Sequence, residues 1–457
     1  MAALQFTERE RNGHAESWLP PRARSSEESG ATGDAGGREA GAVDLHRWSH
    51  CDLVHAVHHY SSGSPKLRLG CVVVPAARLL GTGSGVAFAA DVAARHGAHL
   101  VILASREATR RPLPELLIPP TVPVTVVNVP PGAERILPWG SDEQPIASWH
   151  RDSDLGFKRN VGLLIGRMCA FDVVMFVDDD ISTTRASQLG RPDGGGGDPF
   201  ASIDRVLAEF VEFGNVHVAG WHQQDMDDHS VLYHALRLVG RRQDTFISGG
   251  TLAARAGGPL PFFPTVYNED WVFNALVMLE SAPREPYGGV RCAGTVYQDA
   301  YPQFTIERAK SEELGDLFAE GLYSLLAGGP RAQVATMAAK RAYWEEAIES
   351  RLRLIDDTLS ELYRMSGGAA SGVAVDACAA VQAAREVYAD APFDVADALA
   401  EYLGAVTQDR KIWRELLDSL TARSRADALT PMEALSSMGL DDQVTFHPTT
   451  SHGRRAS

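Results

Sequence analysis

The chain is poor in cysteine, in basic charge and in long apolar runs, and each shortage removes a class of protein. Its five cysteines, Cys51, Cys71, Cys169, Cys292 and Cys378, are scattered, odd in number and free of any CxxC spacing. They read as reduced thiols, mostly core filling, which excludes a disulfide frame or a zinc site and points to the cytoplasm. Lys and Arg number 43 against 59 Asp and Glu, a net charge of -16. Without a basic face to displace counterions, neither nucleic acid nor an anionic membrane is expected as a general partner, although a local basic pocket for one phosphorylated ligand stays compatible. No window reaches the roughly 18 apolar residues that mark a membrane span. The opening MAALQFTERERNGH carries acidic residues where a signal peptide has a basic and then an apolar block.

What is present is the composition of a globular protein, 44% apolar and 22% charged, in a chain of 457 residues whose length suggests two to three domains. Residues 1–45 are rich in Gly, Ser, Ala, Glu and Arg without hydrophobic period, and read as a disordered leader. After a lead-in segment at 46–66, LRLGCVVVP reads as a buried strand, GVAFAADVAARHG as a helix closed by Gly97, and AHLVILAS as a second strand. Such strand-helix-strand units build parallel sheets. VPVTVVNVP supplies a third strand and FKRNVGLLIGRMCA a helix with Val161, Leu164, Ile165 and Met168 on one face. From about Ile306 the pattern is almost wholly helical to about residue 436, and residues 437–457 read as a flexible tail.

The chemistry concentrates in three places. VVMFVDDDIS ends a strand in three consecutive carboxylates, whose mutual repulsion needs a neutralising cation. Alternation along a strand turns Asp178 and Asp180 to one side and Asp179 away. Two hard oxygen ligands open to solvent suit Mg²⁺ or Mn²⁺ together with phosphate oxygens; the plain alternative is a loop that starts at Asp179. Upstream, Lys158, Arg159 and Asn160 open a helix, where N-H groups and cationic side chains suit a ribose or phosphates, or else simply form a solvated first turn. Downstream, FFPTVYNEDW starts a helix with Glu269 and Asp270, flanked by Phe262, Phe263, Tyr267 and Trp271. Those aromatics are expected to wall a pocket, stack on a sugar and raise the basicity of one carboxylate.

In this order KRNVGL, VVMFVDDDIS, SGGTLAAR and YNEDW resemble the GT-A glycosyltransferases, and among them the large inverting family 2 group, across about residues 67–325. The resemblance implies an α/β fold with a GT-A, Rossmann-like nucleotide-diphospho-sugar transferase core and mostly parallel sheet, followed by an all-helical region at 326–436. It implies transfer of a sugar from a nucleotide-diphosphate donor to an acceptor that the sequence does not identify. Asp178 would contact the ribose side of the nucleotide and share the metal with Asp180, Asp179 would join the nucleotide-sugar contacts, Asp270 would be the base and Glu269 its support. Gly249 and Gly250 would admit the bound sugar closely. The family's late His metal ligand has only His447 and His452 as counterparts here, with Asp299 as a substitute.

Lesser signals are the polar loop around Trp221, His222, Asp228 and His229, a candidate lining for the acceptor side, and the cluster His46, His50, Cys51, His55, His58 and His59. Its i, i+4 pairs fit an amphipathic lead-in helix or, less simply, a metal site. The C-terminal helices fit capping the acceptor site and forming a homodimer equally well. Two rival readings stand beside this one. A haloacid-dehalogenase-like phosphohydrolase would use Asp178 as nucleophile and Asp180 as acid, but its motif sits on the first strand, and here three strand candidates come earlier. A non-catalytic sugar-nucleotide-binding protein would have no need of the Glu269-Asp270 pair.

Overall fold

Unbroken runs of Val, Leu and Ile, apolar at successive positions rather than alternate ones, belong to strands covered on both faces. Leu69–Ala76 (β2) is such a strand, with Cys71 and Val73 packed into one hydrophobic cluster and Val72 and Val74 into the other. The computed structural model describes Leu45 and residues 53–61, 63–78, 85–109, 118–149, 153–182, 199–224, 230–241, 247–280, 289–298, 304–328, 331–366, 371–424, 428–440 and 443–446. The expectations placed on the leader 1–44, His46, His50, Cys51, Asp228, His229, Asp299, His447 and His452 lie outside the described residues.

In chain order the elements begin with His55–Ala56 (β1), β2, Gly85–His96 (α1), His99–Ala104 (β3), Val124–Asn128 (β4), Pro145–Trp149 (α2), Leu155–Met168 (α3), Val173–Val177 (β5) and Ile181–Ser182 (β6). They continue with Pro199–Glu212 (α4), Val218–Gln224 (β7), Val231–Leu238 (α5), Ile247–Arg255 (β8), Glu269–Glu280 (α6) and Val290–Gln298 (β9). The helical region comprises Ile306–Gly328 (α7), Arg331–Ala338 (α8), Arg341–Ser366 (α9), Ser371–Asp390 (α10), Val395–Ser424 (α11) and Pro431–Ser437 (α12), before Gln443–Phe446 (β10). The protein is thus α/β with a helical C-terminal region.

The sheet runs β1-β9-β7-β8-β5-β2-β3-β4-β10, with β6 pairing β9. Parallel pairs join β2 to β3 and β5, β3 to β4, and β9 to β1 and β7; β8 lies antiparallel to both β5 and β7. From β2 the chain moves outward through β3 and β4, then crosses back to place β5 on the other side of β2. The ends of β2 and β5 therefore flank a topological switch point, where open α/β sheets usually hold ligands. One sheet face is covered by α1 and α4, the other by α3, α6 and the helical region, whose Trp344, Trp413 and Tyr402 share a hydrophobic cluster with the sheet. From Val43 onward the chain forms one compact unit.

Two segments differ from the sequence reading. The described part of the lead-in is extended from His55 rather than helical: β1 pairs parallel with β9, and His58 is held by Glu209 through its backbone N-H and Nδ1, both at 3.0 Å. Tyr60 Oη and Arg291 Nε also donate to that buried carboxylate, so tertiary bonds override the i, i+4 spacing of His55 and His59. At the other end, residues 443–446 of the expected tail pair antiparallel with β4, supplying partners for an otherwise open sheet edge.

Candidate active site

Valines and Phe176 carry β5 through the core, and the strand stops at Val177 because the next residues turn. The Ile181 N-H bonds to the Asp178 carbonyl at 3.3 Å, so Asp179 and Asp180 lie in a turn and the i, i+2 alternation expected of them does not apply. Each carboxylate finds its own partner. Asp178 accepts from Arg159 Nη2 at 2.9 and 3.0 Å. Asp179 Oδ2 accepts from the N-H groups of Ala77 and Arg78 at 2.8 and 2.9 Å. Asp180 Oδ2 pairs with Arg78 Nη1 at 2.8 Å. The positive charge that the triplet requires comes in part from two arginines of the chain itself. Gly85 starts α1 against this turn, its N-H bonded to the Asp179 carbonyl at 2.9 Å, and a Cβ there would fall 1.9 Å from the Asp178 carbonyl oxygen.

Helix α3 starts at Leu155, so Lys158, Arg159 and Asn160 occupy its second turn instead of opening it, and the Lys158 N-H already bonds to the Asp154 carbonyl. All three side chains are buried, which excludes a solvated turn. Lys158 Nζ reaches the Ala76 carbonyl at 2.9 Å, Ser105 Oγ at 2.7 Å and Asp154 at 3.0 Å, tying together the ends of β2 and β3. Burial lowers its pKa. Asn160 exchanges two hydrogen bonds with the Phe263 backbone, at 2.7 and 2.9 Å.

Arg159 is the hinge of the arrangement. Its Nη1 donates to Glu269 Oε1 at 2.5 Å while Nη2 holds Asp178, and its guanidinium lies over the Phe263 ring, 5.7 Å from the centroid. Burial disfavours its charge, yet Asp178, Glu269 and Asp270 together raise its pKa above the ordinary range. Gly249 is required by this side chain: a Cβ there would sit 2.5 Å from Arg159 Cζ, and one at Gly250 would sit 2.2 Å from Gln223 Nε2. The space expected to admit a sugar at the double glycine is filled by the protein's own side chains.

Glu269 and Asp270 begin α6, as read from the sequence, and β8 brings its Gly249 N-H to Asp270 Oδ2 at 2.5 Å. The Trp271 N-H takes Asp270 Oδ1 at 2.8 Å, so both oxygens are fixed by backbone. Burial pushes the Glu269 carboxyl up to about 7 against the pull of Arg159, and burial also raises Asp178. The residue before them, Asn268, has φ 63 and donates to Asp316 Oδ1 of α7 at 2.5 Å.

The expected aromatic wall is core. Phe263 stacks on Phe273 at 4.0 Å, Phe262 packs on Trp139 at 4.7 Å, and Trp271 meets Tyr233 at 6.4 Å. Trp221, proposed for the acceptor side, is buried with its Nε1 on Ser202 Oγ at 3.0 Å. Phe262 and Phe263 lie in the loop before α6, Trp271 on α6 and Trp221 on β7, and all four are buried, which leaves them no face for a ligand. Tyr267 and His222 remain half-buried, and burial depresses His222 to about 4. Arg78 was not singled out from the sequence; its one signal is its place just past the end of the first strand at the switch point.

Among the described residues no three His, Cys, Asp or Glu side chains are arranged to hold a metal ion by themselves. Around the switch point, among the described residues, Arg78, Lys158 and Arg159, with Arg106 beside Lys158, meet six carboxylates, Asp154, Asp178, Asp179, Asp180, Glu269 and Asp270. The surplus negative charge and the all-oxygen donor set fit a hard divalent cation, with Asp180, whose partner Arg78 is 45% exposed, the carboxylate best placed to take it. Compared with known proteins, the chain matches no family model and no curated protein.

Proposed function

We propose that the protein is a metal-dependent GT-A glycosyltransferase that moves a sugar from a nucleotide-diphosphate donor to an acceptor hydroxyl with inversion. The observation that carries this reading is the convergence, at one switch point, of four segments far apart in the chain: Arg159, Asp178 to Asp180, Gly249 and the Glu269-Asp270 pair. Asp180 would hold a divalent cation, Mn²⁺ or Mg²⁺, which when bound would supply charge neutralisation for the leaving diphosphate. Arg78, half exposed beside Asp180, is positioned to follow that diphosphate with its guanidinium. Lys158 holds the ends of β2 and β3 in register where the nucleotide would lie.

The resemblance gives the base role to Asp270, which removes the acceptor proton as its oxygen attacks the anomeric carbon. A second assignment is favoured by geometry: both Asp270 oxygens are taken by backbone N-H groups, whereas Glu269 meets Arg159 through Oε1 and burial raises its proton affinity. The test begins with thermal shifts of the full chain in UDP-, GDP- and dTDP-sugars with and without Mn²⁺, where a bound ligand raises the melting temperature by mass action. Asp180→Asn is expected to remove the metal-dependent part of the shift. Turnover of the stabilising donor is expected to vanish in Asp270→Asn with nucleotide affinity kept; loss in Glu269→Gln alone moves the base to Glu269. If no nucleotide sugar stabilises the protein, or both variants retain full turnover, the reading is wrong.

A further inference from the structure

The far end of the sheet, where β5 begins and β8 ends, contains a cavity of about 490 Å³ whose charged lining residues are Arg167, Asp172 and Arg255. It is separated from Asp178 by the length of β5, roughly 17 Å at the usual rise per residue. Its charges do not balance. Arg167 is 8% exposed, and among the described residues its side chain donates from Nη2 to the Gly258 carbonyl at 3.2 Å while its buried Nε has no hydrogen-bond partner. No carboxylate among them pairs with it; burial lowers its pKa against the opposing pull of the exposed Asp418.

Among the described residues the Arg255 side chain donates to backbone carbonyls, those of Phe210 at 3.4 Å and Gly214 at 3.1 Å. His217 lines the same cavity with its Nδ1 buried and unbonded, and burial together with Arg255 depresses it to about 4, so it is neutral. Asp172 contributes the single lining carboxylate and accepts the Arg68 N-H at 3.2 Å. Arg167 lies in the last turn of α3, where the helix dipole favours a cation. That accounts for a cation at the surface and not for one withdrawn from water, which is costly unless an anion joins it.

We propose that this cavity binds a small phosphate ester, its phosphate taken by Arg167 and Arg255, with His217 available as a neutral hydrogen-bonding group. Guanidinium forks match tetrahedral oxyanions in geometry and charge. The volume exceeds that of phosphate alone, and Leu67, Phe171 and Pro259 offer apolar contact for the remainder of the molecule.

The experiment is a thermal-shift and calorimetric titration of the full chain with glycerol 3-phosphate, inorganic phosphate and acetate at constant ionic strength. Glycerol 3-phosphate is expected to raise the melting temperature saturably by about 2 to 4 °C and at lower concentration than inorganic phosphate, with acetate inert. Arg255→Gln is expected to weaken binding about tenfold or more. Arg167→Met is expected to abolish it while leaving the unliganded melting temperature no lower than that of the parent, because it removes a buried charge without a counter-ion. No shift in the parent, an equal shift with acetate, or a shift undiminished in both variants overturns the proposal. Arg78→Gln, at the other end of β5, leaves this shift intact if the two sites are separate, and its loss there would place the anion beside Asp180 and Arg78 instead.

Discussion

Arg159 spans Asp178 and Glu269 while 1% exposed, so removing it strands two buried carboxylates. Arg159→Met is expected to cost roughly 3–5 kcal/mol, read as a lower urea midpoint; a change within about 0.5 kcal/mol would show that the bridge is not what holds the site. Its fit depends on Gly249, and Gly249→Ala is expected to cost roughly 1–3 kcal/mol by forcing the guanidinium aside. In an Arg159→Ala background that cost should largely disappear, and additivity in the double-mutant cycle would refute the steric account. Glu320 tests the electrostatics separately. Burial pushes it up to about 7 from the ordinary 4.5, and burial likewise pushes Asp316 up to about 6. The unfolded chain releases these protons first, so the contribution of Glu320 is intact below about pH 4.5 and lost as pH rises through 7, and that of Asp316 is intact below about pH 3.8 and lost as pH rises through 6. Glu320→Gln is therefore expected to stabilise the protein at pH 8 by up to about 3 kcal/mol and to change it little at pH 4.5. Equal melting-temperature shifts at both pH values would contradict this.

At the scale of elements, the helical region acts on the turn that delivers Glu269 and Asp270. Tyr402 Oη on α11 donates to the Thr265 carbonyl at 2.8 Å, and Trp413 Nε1 donates to that of Leu260 at 3.0 Å. From α7, Asp316 holds Asn268, and Arg351 of α9 holds both Asp316 at 2.9 Å and Glu313 at 2.8 Å. The left-handed backbone of Asn268 suits Asn or Gly. Asn268→Gly is expected to lose about 1 kcal/mol with the Asp316 bond, and Asn268→Val to lose at least a further 1–2 kcal/mol from backbone strain. Thermal denaturation compares them, and a Val variant as stable as the Gly variant would show that the turn relaxes.

For the whole molecule, the cluster beneath the sheet runs without a break into the helical region, where Trp413 is fully buried against Trp139 and Phe262. Tryptophan fluorescence and far-ultraviolet dichroism are thus expected to report coincident unfolding transitions. Trp413→Ala is expected to cost roughly 3–5 kcal/mol and to shift both probes together. Separate midpoints would mean that the helices and the sheet unfold as different units.

Local pattern determined much of this protein. The apolar runs of β2, β3 and β5, the α3 and α6 helices and the helical C-terminal region are legible because burial on two faces or one leaves its period in the sequence, and the acidic turn at 178–180 marked the end of the strand where the site lies. Tertiary structure alone decided which charge meets which. That Arg159 neutralises Asp178 and Glu269, that Arg78 faces Asp180, that Gly249 yields space to a guanidinium and that Phe262, Phe263, Trp221 and Trp271 are core depends on contacts between residues tens of positions apart. So does the antiparallel addition of β10 at the sheet edge. Ion pairing and packing act through distance in space, which spacing along a chain does not encode.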